Sequence, residues 1–168
     1  MSDLPSDRIT PGEPPFSYTG VDLFGPFNVK RCRSVLKRYG CVFTCLRIRA
    51  VHIEVVQTLD TDSFINALQR FICRRGQPKE FRSDNGTNFV GAEKELNGFL
   101  QQKSIEWRFN SPTASHMGGV WERQIRSIRR VLSVLMKEQS VDDENLSTLF
   151  CLVESIIYIC IPNLVEIG

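Results

Sequence analysis

Three strand-like runs follow one another between Phe16 and Leu59, and their close spacing and tight turns argue for an antiparallel trio. In the first, FSYTGVDLFGPF, Phe16, Tyr18, Asp22 and Phe24 share one face, with Val21 and Leu23 on the other. Gly25-Pro26 is expected to end it. A basic segment, Lys30 to Arg38, then leads into YGCVFTCLRI, and a turn at Arg49-Ala50 precedes the third run, VHIEVVQTL. Helical and strand patterns alternate from there. Asp60 or Thr61 caps a helix whose inner face is Phe64, Ile65, Leu68, Phe71 and Ile72, and Gly76 and Pro78 close it. The strand KEFRS runs into Asp84-Asn85-Gly86. Ala92, Leu96, Phe99 and Leu100 mark a helix, and Ile105, Trp107 and Phe109 alternate with Glu106 and Arg108 in a fifth strand. After the loop NSPTASHMGG comes a long amphipathic helix. A last helix starts with Ser140 and Asp143 and turns Leu146, Leu149, Val153, Ile156 and Ile157 inward. The order β-β-β-α-β-α-β-α-α predicts an α/β fold: an antiparallel trio extended by parallel strands into a five-stranded mixed sheet, with helices on both faces. The fourth strand is expected beside the first.

At 168 residues and 42% hydrophobic content, the chain is long enough for one domain with a proper core. Residues 1–15, with four prolines and no apolar run, read as an extended lead-in without a signal peptide. The most apolar stretch, Leu149 to Ile161, is short for a membrane span and contains Glu154, so no membrane is expected. Six cysteines form no CxxC pair and the only histidines are His52 and His116, which leaves zinc no ligand set. Reduced thiols in an intracellular protein are expected. His52, between apolar strand residues, reads as a structural histidine.

The net charge of +2 hides a segregation. Residues 1–137 hold all 21 Lys and Arg against 13 acids, a balance of +8, while residues 138–168 hold six acids and neither cation. Seven cations and no acid lie between Lys30 and Arg49. A body of this kind faces a polyanion, nucleic acid foremost.

Three acids stand out against that background. Asp22 sits mid-strand with apolar residues on both sides, where a lone carboxylate is several kcal/mol uphill. It is either bonded to backbone amides at a strand end or held by a cation. Asp84 leaves the end of a strand, where open sheets place ligands, although Asp before Asn-Gly is also a common turn residue. Glu122 lies in the helix that follows Gly118 and Gly119, expected in its first turn, the one acid among Arg123, Arg126, Arg129, Arg130 and Lys137. Trp121, Ile125, Ile128, Leu132 and Leu135 give that helix its buried stripe, and Arg123, Arg126, Arg130 and Lys137 a cationic one. A solvated face with an ion pair is the plain reading of Glu122. Three acids on three elements that meet would persist ionised only around multivalent cations, and oxygen-only donors favour Mg²⁺ or Mn²⁺.

GVDLFGP around Asp22, FRSDNGTNF around Asp84 and SHMGGVWERQIR around Glu122 together resemble the catalytic core of retroviral-type integrases, within the ribonuclease H-like superfamily. Integrases of Bel/Pao-type retrotransposons look most similar. The resemblance spans Phe16 to Ile157. It implies an integrase core over residues 16–161, with residues 162–168 an atypical C-terminal tail. It further implies an Asp22-Asp84-Glu122 triad holding two Mg²⁺ or Mn²⁺ ions, 3′-end processing of DNA and strand transfer into target DNA. Asn85 and Asn88 would shape the turn beside the metals and approach DNA. His116, with Gly118 and Gly119, would belong to a mobile loop, as a DNA contact or as plain loop. Arg123, Arg126 and Arg130 would meet phosphates without reading bases. The full-length relatives act as homo-oligomers on element ends and target DNA, and the nucleus is the expected place of action. Two departures stand beside this. The zinc-binding N-terminal and basic C-terminal domains of full integrases are not in this sequence, and the ending YICIPNLVEIG replaces the family's Asn-Ser-Arg-Pro-type segment, as in a truncated or altered reading. These departures leave open a catalytically silent, element-derived module that binds nucleic acid or oligomerises.

Overall fold

The computed structural model describes residues 12–84, 93–109, 115–136 and 141–160. Five strands, β1 (Tyr18–Arg31), β2 (Ser34–Cys45), β3 (Val51–Val56), β4 (Glu80–Ser83) and β5 (Glu106–Phe109), form one mixed sheet in the order β3-β2-β1-β4-β5. The first three pair antiparallel, and β4 and β5 join in parallel on the other side of β1. This is the expected ribonuclease H-like arrangement. Helices α1 (Thr61–Arg75) and α2 (Glu93–Gln102) cover one face, α3 (Ser115–Leu135) and α4 (Asp143–Cys160) the other.

Alternation in the central strands splits the core in two. Val21, Cys41 and Phe43 point toward α1 and α2, where they meet Phe64, Leu68, Phe71, Leu96 and Leu100. The Phe43 and Phe71 rings stack 4.2 Å apart. Phe24, Val29, Val42 and Ile53 point the other way, onto Ile125, Ile128 and Leu132 of α3 and Leu146, Phe150 and Val153 of α4. The stripe of α3 is thus buried as its period requires, and the side chain of Trp121 lies outside the described residues. Asp60 caps α1, its Oδ1 accepting the Ser63 N–H at 2.7 Å, and Gly76 ends it at a φ of +93°.

Several expectations need correction. β1 does not stop at Gly25-Pro26. Those two residues oppose the single Tyr39 in a bulge, which absorbs the extra residue and a proline that has no N–H to give. The basic segment is therefore half of a long β1–β2 ribbon, closed by the two-residue turn Cys32-Arg33, and β2 starts at Ser34 rather than Tyr39. Phe16 packs with Val21 against α1, not with Asp22, because its φ of +65° bends the chain just before the strand. β3 ends at Val56, short of Leu59. Helix α3 begins at Ser115, so Gly118 and Gly119 are helical and Glu122 stands two turns in. A glycine weakens a helix by about 1 kcal/mol, too little to stop propagation of a nucleated one. Asp142, not Ser140, caps α4, accepting the Asn145 N–H at 2.7 Å, and Ile156 is 38% exposed. Ser140 and most of the expected lead-in (residues 1–11) lie outside the described residues, as does the 162–168 tail.

Candidate carboxylate site

Asp22 pairs across the ladder with Val42, a residue of the α3/α4 core, so its side chain points to the α3 layer. On the other side β4 runs parallel with Tyr18, Thr19 and Gly20 matched to Glu80, Phe81 and Arg82. Two further steps of that register bring Asp84 level with Asp22, on strands about 4.8 Å apart. Glu122 approaches from α3.

The electrostatics of Asp22 report on all three. Its pKa is raised to about 6, first by burial and next by the negative charge of Asp84. The Leu23 N–H, 2.7 Å from Oδ1, and the Arg129 guanidinium pull it back, and Glu122 pushes it up again. Asp84 and Glu122 are therefore each within electrostatic reach of Asp22, which is half-buried while the other two are exposed. They are not closed around a point: among the described residues, no group of three or more His, Cys, Asp or Glu is placed to hold a metal ion.

Two relations at the site cross between elements. Arg129, on the same face of α3 as Glu122, lies within electrostatic reach of Asp22, which the helical period alone does not show. The second is a bond from Trp107 Nε1–H on β5 to the Oγ of fully buried Ser83, 2.9 Å away, next to Asp84. No local pattern announces a contact between those strands.

The expected DNA-contacting residues are spread differently. Arg126 and Arg130 are exposed on α3, while Arg123, also exposed, donates from Nε to the Gly119 carbonyl at 2.8 Å. His116 sits in the first turn of α3 rather than in a loop; its side chain, like all of Asn85 and Asn88, lies outside the described residues. His52 is structural as expected. Its Nε2 is 2.7 Å from Glu54 Oε1, and its Nδ1 accepts from Arg75 Nε at 3.2 Å. Burial of Glu54 alone would raise its pKa, but His52 and Arg70 overcome that and hold it below the usual glutamate value.

The integrase core domain family matches residues 15–115, more than half of the sequence. This chain belongs to that family. The integrase core also shares its fold with solved relatives. It aligns with a chain of the simian T-cell lymphotropic virus intasome over 88% of its length, at a TM-score of 0.67 and 19% identity. It spans about half of that longer chain, 51%. The HTLV-2 integrase catalytic core, solved with magnesium in a dimeric form, matches at a TM-score of 0.63 and 18% identity, covering 85% of this chain and 86% of that one. The BIV integrase catalytic core matches at 0.62 and 16%, covering 83% and 81%. No curated protein sequence matches significantly. Among the described residues of this integrase core, no helix is long and apolar enough to cross a membrane.

Proposed function

We propose that this integrase core cuts and joins DNA, with Asp22, Asp84 and Glu122 as its metal-holding triad. The observation that carries the reading is the setting of Asp22: it is half-buried on β1 within electrostatic reach of acids from two other elements, Asp84 and Glu122, and its pKa is raised to about 6 although the Leu23 N–H and Arg129 pull it back. Such a site fits divalent cations, since oxygen donors that repel one another are relieved by one. Two Mg²⁺ or Mn²⁺ ions, when bound, supply Lewis acidity at the attacking and leaving oxygens of a phosphodiester. The chain's own part is to hold the carboxylates on a rigid sheet and helix, and to offer Arg126 and Arg130 to phosphates. Substrates on this reading are element ends, trimmed at the 3′ side, and target DNA that receives them, which places the work in the nucleus. Within the family we place the chain with Bel/Pao-type elements, on GVDLFGP, FRSDNGTNF and SHMGGVWERQIR. The outer face of α4 exposes Leu152, Ile156, Tyr158 and Ile159, which supports homo-oligomerisation.

A second reading rests on the carboxylates not closing around one point: a catalytically silent module that keeps only the binding surface. One assay separates the two. Metal-dependent strand transfer or disintegration on model DNA is expected from the parent, and Asp22→Asn, Asp84→Asn and Glu122→Gln should each reduce it to background. Near-normal turnover in any variant removes that residue from the site, and an inactive parent that still binds duplex DNA selects the silent module.

A further inference from the structure

Past the bulge, the β1–β2 ribbon runs beyond the cover of α1. Val29 is fully buried against the α3/α4 layer, and its cross-strand partner Leu36 packs there too. Alternation turns Lys30 and Lys37 to the opposite face, away from Asp22, beyond the half-buried Tyr39 where packing against the α1 layer ends. Arg33 sits at the turn. All three cations are exposed, as are Asn28 and Val35, which share the face of the two lysines.

The ribbon is firmly held from beneath. The Lys30 backbone N–H donates to the Val141 carbonyl at 2.9 Å, and buried Arg38 pairs with Asp143 at 2.6 Å. Arg38 is thus neutralised, and its guanidinium also donates to the Lys37 carbonyl at 3.2 Å, whereas no described residue makes an ion pair or hydrogen bond with the side chains of Lys30, Arg33 or Lys37. No acid occurs in sequence between Asp22 and Glu54 to intersperse with them. Lys30 and Lys37 are diagonal neighbours on the two strands, about 7–8 Å apart and somewhat closer at Cβ. A soluble surface normally mixes its charges, and a fixed, unmixed cluster is relieved by a polyanion.

We propose that the outer face of this ribbon, through Lys30, Arg33 and Lys37, is a second nucleic-acid surface that grips the phosphate backbone of duplex DNA. Eight residues of strand put Lys30 about 26 Å from Asp22, so one phosphate cannot serve both places. The ribbon and the carboxylates also face opposite sides of the sheet. The duplex segment held here is therefore not the one presented to Asp22, and the assignment does not depend on the triad binding metal.

The test is fluorescence anisotropy of the 168-residue chain with a 30-base-pair duplex of arbitrary sequence, in EDTA, across a salt series. Lys30→Glu/Arg33→Glu/Lys37→Glu is expected to lower affinity by roughly 10- to 100-fold and make the log–log salt slope shallower by about 2 to 3, since each phosphate contact contributes about 0.9. The neutral set Lys30→Gln/Arg33→Gln/Lys37→Gln should show the same sign with a smaller loss, and both sets should melt with the parent. Unchanged affinity and slope overturn the proposal. So does unchanged DNA binding with altered self-association in sedimentation, which would assign the ribbon to the acidic end of a second copy instead. Failure of strand transfer in the parent leaves this readout intact.

Discussion

Glu54 on β3 and Asp22 on β1 lie on either side of β2, and the protein moves their acidities in opposite directions. Glu54 accepts from His52 and from Arg70 Nε, each at 2.7 Å, with Arg74 at 3.1 Å, and its pKa falls. Asp22 is half-buried beside Asp84 and Glu122, and its pKa rises to about 6. Around Glu54 every charge is answered from within. Arg70 also donates to the Val55 carbonyl at 2.7 Å, and Glu154 of α4 accepts the Ile53 N–H at 2.6 Å, so side chains cover polar groups of the edge strand. Around Asp22 the Leu23 N–H and Arg129 offset burial and the neighbouring acids only in part. Perturbed acids occur both in structural networks and in functional sites, and the two shifts here run in opposite directions.

The sharpest way to break the comparison is at Glu54. Glu54→Gln takes the charge from a cluster of one histidine and two arginines, and hydrogen bonds to charged groups are worth about 1.5–3 kcal/mol each before relaxation. A loss of about 2–3 kcal/mol in urea unfolding at pH 7 is expected. A loss under about 0.5 kcal/mol would place the cluster with ordinary surface ion pairs.

Asp22→Asn should act the other way. The native pKa near 6 exceeds the unfolded value near 3.8, so between those pH values the native state binds more protons. Stability conferred by the shift is present below about pH 4 and is lost as pH rises through 6. Asparagine removes that loss: a gain of about 0.5–2 kcal/mol at pH 7.5, shrinking to nothing below pH 4, in melts with EDTA. Glu54 shows the mirror image, its contribution present above about pH 4.5 and eroding as pH falls through its lowered pKa. A gain at Asp22 that ignores pH would trace to packing rather than charge.

Millimolar Mg²⁺ or Mn²⁺ probes the same contrast from outside. Ion binding to the native state alone stabilises by about 1.4 kcal/mol at ten times the dissociation constant. The parent should gain, while Asp22→Asn and Asp84→Asn should lose most of the response and Glu54→Gln keep it. Equal responses in all four proteins would exclude a convergent site.

What could be read in advance follows from how local each signal is. Strand alternation and helical period are properties of neighbouring residues, so the sheet order and the stripe of Ile125, Ile128 and Leu132 were legible. The ribbon past Gly25-Pro26 was not, because a bulge turns a breaker into a continuing strand only when a partner strand waits opposite. One backbone angle takes Phe16 off the strand's alternation, and Gly118 and Gly119 do not break α3 because its support lies in the tertiary core. At the site, the three acids were visible as anomalies of context. Arg129 and Trp107 were not, since their relation to Asp22 and Ser83 exists only across elements.

The smallest expected effect concerns the bond from Trp107 Nε1 to Ser83 Oγ. Ser83 is the last residue of β4 and carries Asp84 directly after it, so this bond between β4 and β5 fixes the strand end from which Asp84 departs. Ser83→Ala removes the acceptor with little change in volume, and the half-buried indole can turn to water, so a loss of about 1 kcal/mol is expected. If the bond also keeps Asp84 beside Asp22, loosening it weakens the repulsion that is the second cause of the Asp22 shift. The Asp22 pKa should then fall from about 6 by roughly a few tenths, burial continuing to hold it up. A carboxyl-carbon NMR titration of parent and variant reads this directly. Lower stability with an unmoved Asp22 titration would mean that the bond only anchors β5. A downward shift would place Trp107 among the residues that position the charge at this site, acting through Ser83.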